Sequence, residues 1–175
     1  MAEEEDRIGV AVIDSTVYVK PHGFATQKCS LGIPDFLRAM FRAGCMQVAF
    51  DLADCKGMDS TFLGVIADAA TAIPHKPGKN VVILNCRASA ARQLQRIGLL
   101  PLVCVHEEPV EPPEIELSEI DFVHMPKTQL ETLERIKSLH QKLIELNEQS
   151  RTIFGPFIEM LEEELRQRRE DESRA

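Results

Sequence analysis

Along residues 7–106 the apolar positions switch repeatedly between a period of two and a period near 3.6. Residues 8–13 and 16–20 are short β-branched runs separated by Asp14 and Ser15, the spacing of a hairpin. Pro34 and Asp35 suit a first helical turn, Phe36, Leu37, Met40 and Phe41 recur at helical spacing, and Gly44 supplies a stop. Residues 47–52 alternate Val48, Phe50 and Leu52 against Ala49 and Asp51, and read as a strand. Leu63, Ile66, Ala70 and Ile73 then predict a helix that Pro74 ends. Residues 80–85 form a nearly continuous apolar run, expected of a strand covered on both faces. Ala90, Leu94 and Ile97 predict a helix closed by Gly98, and residues 102–105 a last strand. The order β-β-α-β-α-β-α-β implies an α/β domain over residues 7–106: a mixed sheet with helices as crossovers.

Residues 107–119 carry three prolines and six glutamates, so 107–125 reads as an acidic, proline-rich, extended linker. Residues 126–170 then form a helical extension. Ile136, Leu139, Leu143, Leu146, Ser150, Ile153, Phe157 and Met160 are spaced three and four apart, a heptad seam interrupted at Ser150. A seam this narrow needs a partner. Either a second copy of the chain supplies it, making a coiled-coil homodimer, or the helical face of the chain's own domain does. Proline at 156, after Gly155, is expected to kink or break the helix there, which permits a back-folded hairpin.

Composition narrows the functional classes. The chain has 175 residues, 44% apolar and 27% charged, which excludes wholesale disorder. Residues 1–106 carry 11 basic and 10 acidic side chains, whereas residues 107–175 carry 9 and 18. The net charge of −8 therefore resides in the C-terminal third, which argues against nucleic acid and anionic membrane surfaces as partners. No apolar run reaches the roughly 18–20 residues of a membrane span. Residues 1–6 are acidic, with no apolar signal region, so a cytoplasmic protein is expected. The five cysteines, Cys29, Cys45, Cys55, Cys86 and Cys104, show neither zinc spacing nor an even disulfide set. Cys86 and Cys104 read as small core residues in a reducing compartment. No metal or cofactor is expected.

Enzyme signatures do not appear. Gly78-Lys79-Asn80 lacks the rest of a phosphate loop, and His22, His75, His106, His124 and His140 are scattered. Cys104 and His106 would share one strand face, a pairing more often structural than catalytic. Asp51 and Asp54 flank a strand end, where turn formation explains them better than acid–base or Mg²⁺ chemistry. One segment does carry possible chemistry: Asp59, Ser60 and Thr61 stand where a short turn after the strand enters a helix. Helix capping is one role for them. Phosphorylation is the other, because a phosphoryl group there meets free N–H donors and the positive end of the helix dipole. Asp59 opposes it by charge, so modification would change recognition without reorganising the fold.

The stretch from Val10 to His106, 97 residues, resembles a STAS domain, the module of bacterial anti-sigma factor antagonists and sulfate-transporter tails. Phe50-Asp51-Leu52 followed by Met58-Asp59-Ser60-Thr61-Phe62-Leu63-Gly64 carries the resemblance. Val81-Val82-Ile83-Leu84-Asn85 and Leu94-Gln95-Arg96-Ile97-Gly98-Leu99 support it. The resemblance implies a STAS-like fold and a non-enzymatic protein. It also implies that Ser60, ahead of Thr61 as the second hydroxyl, is phosphorylated by a serine kinase that doubles as an anti-sigma factor. The unphosphorylated form would bind that kinase through Asp59, Ser60, Thr61, Phe62 and Gly64. Phe62 stands where the family commonly has glycine, and Lys20 to Thr26 lacks the acidic residue often found before the first helix. A different class of function, a non-catalytic STAS scaffold subunit of stressosome-like or transport-accessory kind, would assemble through Ile136, Leu139, Leu143, Leu146, Ile153, Phe157 and Met160.

Overall fold

Asp14 adopts a left-handed conformation (φ 52°) and, with Ser15, turns strand β1 (Arg7–Ile13) back as β2 (Thr16–Ala25). The computed structural model describes residues 6–72, 80–106, 109–110, 118–119 and 125–174. After β2 come α1 (Gln27–Ser30), α2 (Ile33–Arg42), β3 (Gln47–Asp51), β4 (Cys55–Met58), α3 (Ser60–Ala72) and β5 (Val81–Leu84). They are followed by α4 (Ala88–Ile97), a 3₁₀ turn (Leu100–Leu102), β6 (Cys104–Val105), β7 (Ser118–Glu119), α5 (Gln129–Ile144) and α6 (Glu148–Arg174).

The sheet runs β6-β5-β3-β2-β1-β7, with β4 added beside β2. β1 pairs antiparallel with β2 and β7, while β2–β3, β3–β5 and β5–β6 are parallel. This is the mixed sheet with crossover helices that the order of predicted elements implies, with the helical extension attached. Register lines Val17 beside Val48, Val19 beside Phe50, and Phe50 beside Ile83, so alternate residues of three strands make one buried face. Phe62 of α3 closes on it, its ring edge-to-face with Phe50 at 5.9 Å. Gly44 and Gly98, at φ 104° and 86°, end α2 and α4 in the left-handed conformation that favours glycine.

Several expectations need correction. β2 does not end at Lys20: residues 21–25, expected as loop, continue the strand, and residues 23–25 pair with β4, in which Lys56 is the extra residue of a bulge opposite Gly23 and Phe24. β4 stands where the sequence predicts a turn, since Cys-Lys-Gly-Met has no β-branched residue. The last strand is only Cys104–Val105, after a 3₁₀ turn that proline suits, and Cys104 is exposed rather than core, with Cys86 half-buried. Residues 118–119 lie on β1 as β7 instead of in an open linker, and Val110 is bonded twice to Asn85. Ile73, Pro74, His75, Gly78, Lys79, His124 and most of 107–119 lie outside the described residues.

The extension is a helical hairpin, but its turn is not at Gly155-Pro156. α6 runs through Pro156, which is exposed, as is Thr152, whose carbonyl loses its ladder donor and is open to water. The break falls before Asn147, whose side chain accepts from the Ser150 N–H (2.7 Å) and caps α6. Arg168 to Gln129, Arg169 to Glu134 and Lys137 to Glu162 pair the two helices antiparallel. Thr128 and Glu131 form a capping box at the start of α5.

Phe62→Ala removes an aromatic with no exposed surface, so urea denaturation is expected to show a loss of about 3–5 kcal/mol. A loss under about 1 kcal/mol would place Phe62 outside the core.

Candidate functional site

β4 delivers the chain to α3 through Asp59, whose N–H continues the ladder to the Ala25 carbonyl (3.0 Å). The two Asp59 carboxylate oxygens then do separate work. Oδ1 accepts from the Phe62 N–H (2.9 Å), which caps α3, and Oδ2 accepts from the Gln27 N–H (2.8 Å), which fixes the start of α1. Asp59 is therefore the helix cap. Ser60, the next residue and the first of α3, is left with a hydroxyl that the helix end does not use.

That hydroxyl meets His140 of α5, eighty residues on, at 2.9 Å from Nε2. The other ring nitrogen, Nδ1, lies 2.8 Å from the Ile136 carbonyl. A carbonyl only accepts, so Nδ1 carries the proton, and in the neutral ring Nε2 accepts from the Ser60 hydroxyl. His140 is 1% exposed and lies against the rings of Phe154 and Phe157, with centroids at 5.6 and 4.7 Å. Burial lowers its pKa below the ordinary histidine value. The Ile136 carbonyl and the Asp59 charge pull the other way without prevailing.

One turn further along α3, Gly64 lies directly under α5. A Cβ there would stand 2.8 Å from the Leu139 carbonyl oxygen and Cβ, so only glycine admits α5 at this depth. The structure thus joins two groups of residues that sequence kept apart, the Ser60 segment and the seam. Of the partner-surface residues, Asp59 and Ser60 are half-buried, whereas Thr61 (3% exposed) and Phe62 (0%) belong to the interior. The Phe62 ring is packed edge-to-face against Phe50 of the sheet.

The seam residues divide at the hairpin turn. Ile136, Leu139 and Leu143 are buried against their own domain, not left for a second copy, and Leu146 is half-buried. Ser150, which interrupted the seam, is fully buried and donates to the Ile97 carbonyl (2.9 Å), as does Asn147 (2.9 Å). Past the turn the buried register moves: Ile158, Leu161 and Leu165 face inward, Phe157 is half-buried, and Ile153 and Met160 are 41% and 59% exposed. Arg135 ties α5 to α2 through Asp35 (2.6 Å) and to the Leu31 carbonyl (2.9 Å). Sequence reasoning missed His140. Its signal was a polar residue inside the apolar 136/139/143 stripe.

Asp51 and Asp54 form a separate cluster. Asp51 is buried, accepts from Asn85 (2.7 Å) and the Ala53 N–H (3.1 Å), and has Lys20 at 3.6 Å. Asp54 pairs with Lys20 (3.0 Å) and His22 (3.3 Å), and the Lys20 hydrogen bond holds its carboxyl below the usual range. These contacts pin strand ends together, as turn-forming aspartates do.

Among known proteins, no protein-family model and no curated protein matches this chain. Solved structures similar to it include two of one protein. One is the Bacillus cell fate determinant SpoIIAA in the phosphorylated form, at 15% identity and TM-score 0.45, covering 58% of this chain and 92% of that one. The other is the anti-sigma factor antagonist SpoIIAA in its unphosphorylated form, at 14% identity and TM-score 0.45, covering 58% and 88%.

Because His140 is neutral and buried, its contribution is complete above its ordinary value of 6.5 and is lost as pH falls from there toward its depressed folded value, since the unfolded ring binds the proton first. The stability of the wild type relative to His140→Leu, from urea titrations across pH, is expected to shrink on acidification through that window. A difference independent of pH would contradict a buried neutral imidazole.

Proposed function

We propose that this protein is a phosphorylation-switched regulatory binding protein of the anti-sigma factor antagonist kind, engaging a serine kinase that doubles as an anti-sigma factor while Ser60 is unphosphorylated. The observation that supports this reading best is the division of labour at the start of α3. Asp59 takes the capping role, so Ser60 is free of it and half-buried at the positive end of the helix. A phosphoryl group there adds about 1.5–2 negative charges next to the Asp59 carboxylate and weakens docking of any partner matched to a neutral hydroxyl. Thr61, at 3% exposure, is the poorer acceptor.

A non-catalytic scaffold subunit is the second reading. Ile153 and Met160 support it, one heptad apart and exposed on α6, where a second copy would have to dock. In that reading the homodimer rests on these two residues rather than on the whole seam.

Phosphopeptide mass spectrometry on the protein from its native host, growing and stressed, tests the first reading. Trypsin yields residues 57–79 as one fragment, because Lys76 precedes proline and is cut poorly. Condition-dependent phosphate is expected on Ser60 and is expected to vanish in Ser60→Ala. A well-detected fragment that is never modified sinks the switch and shifts the weight to the scaffold.

A further inference from the structure

We infer that the α5–α6 hairpin is a cap in cis over the Ser60 face of α3, docked while Ser60 carries a free hydroxyl and released when it carries a phosphoryl group. This rests on the reading of Ser60 as the modified residue and adds what the modification does to the chain itself.

The contact between Ser60 and His140 depends on a donor that phosphorylation removes. The hydroxyl donates to Nε2 across 2.9 Å. A phosphoserine has no such proton to give at neutral pH and sets anionic oxygens against a lone pair. Protonating His140 would restore a bond, but the ring lies against Phe154 and Phe157, which carry no polar group, so only the free N–H groups of the first turn of α3 are left for the other phosphoryl oxygens. Burying an ion pair without further hydrogen bonds is unfavourable. Asp59, fixed by its two backbone bonds, adds a like charge that cannot turn away without uncapping α3.

α5 also lies in direct contact with α3 here. Its backbone at Leu139 sits so near Gly64 that even a methyl group would overlap it, one turn from Ser60. The bonds that hold the ends of the hairpin are of a kind that water can replace: Arg135 to Asp35, and Asn147 and Ser150 to the Ile97 carbonyl. Displacement of the hairpin as a unit relieves the conflict, at the cost of exposing Ile136, Leu139 and Leu143, which share the core cluster of α3 and the strands. By linkage the effect is reciprocal. A kinase that engages unphosphorylated Ser60 must therefore displace the hairpin as it docks, so the cap and the kinase compete for the same face.

The full-length protein with phosphoserine installed at position 60 during translation tests the inference without any kinase, by hydrogen–deuterium exchange beside the unmodified protein. Amides of residues 129–144 are expected to exchange at least about tenfold faster in the phosphorylated form, with β3 and β5 unchanged. Gly64→Ala, which lengthens no side chain beyond a methyl but strikes the Leu139 backbone, is expected to release the same amides with no charge added. Equal or greater protection of α5 in the phosphorylated protein overturns the inference, whether or not Gly64→Ala opens the hairpin. Loss of protection throughout the sheet also overturns it, since the hairpin would then be core rather than cap. A failure to find phosphate on Ser60 in the native host defeats the proposed function instead and leaves the exchange result standing.

Discussion

Helix α3 is buried almost around its whole circumference, with nine of its thirteen residues interior from Thr61 to Ala70, and a helix of that kind must be covered on two sides. The sheet covers one side through Phe62 and Phe50. The chain supplies the second cover from its own C-terminal third, and Gly64 sets how close that cover can come. Ile136, Leu139 and Leu143 of α5 join the same apolar cluster as the strands, so the seam finds its partner within the molecule. The acidic charge of the C-terminal third is compatible with this, because α6 turns much of it toward solvent.

Much of the architecture could be read from local pattern. The β1–β2 hairpin, α2 behind Pro34, β3, β5 and α4 closed by Gly98 each follow from short-range periodicity and turn chemistry. The elements that escaped depend on pairing rather than propensity. β4 forms against the extension of β2 at residues 23–25, with Lys56 bulged, and β7 pairs two residues of an otherwise proline-rich stretch with β1. The seam marks the residues buried within the chain as far as Ser150, and beyond it the buried register passes to Ile158, Leu161 and Leu165. Asn147 starts a new helix there, while Pro156 is tolerated because it stands on the solvent side.

The candidate site was half legible. Ser60 could be picked from the strand–turn–helix segment, and capping competed with modification as its role. The structure assigns the cap to Asp59 and leaves the serine hydroxyl to His140. Nothing local in the sequence joins residues eighty positions apart. The available hint was that His140 shares a helical stripe with Ile136, Leu139 and Leu143, where a polar side chain needs a reason to be buried. In this chain the reason is a bond to the residue proposed as its switch.

The state of the His140 ring is the point on which the account turns, and nitrogen-15 NMR of the imidazole in the full-length protein reads it directly. The account predicts a neutral ring at pH 7 with the proton on Nδ1, a Nε2 resonance that moves in Ser60→Ala, and titration below the ordinary value of 6.5. A ring protonated on Nε2, or one that titrates near 6.5 and ignores the loss of the Ser60 hydroxyl, would contradict it.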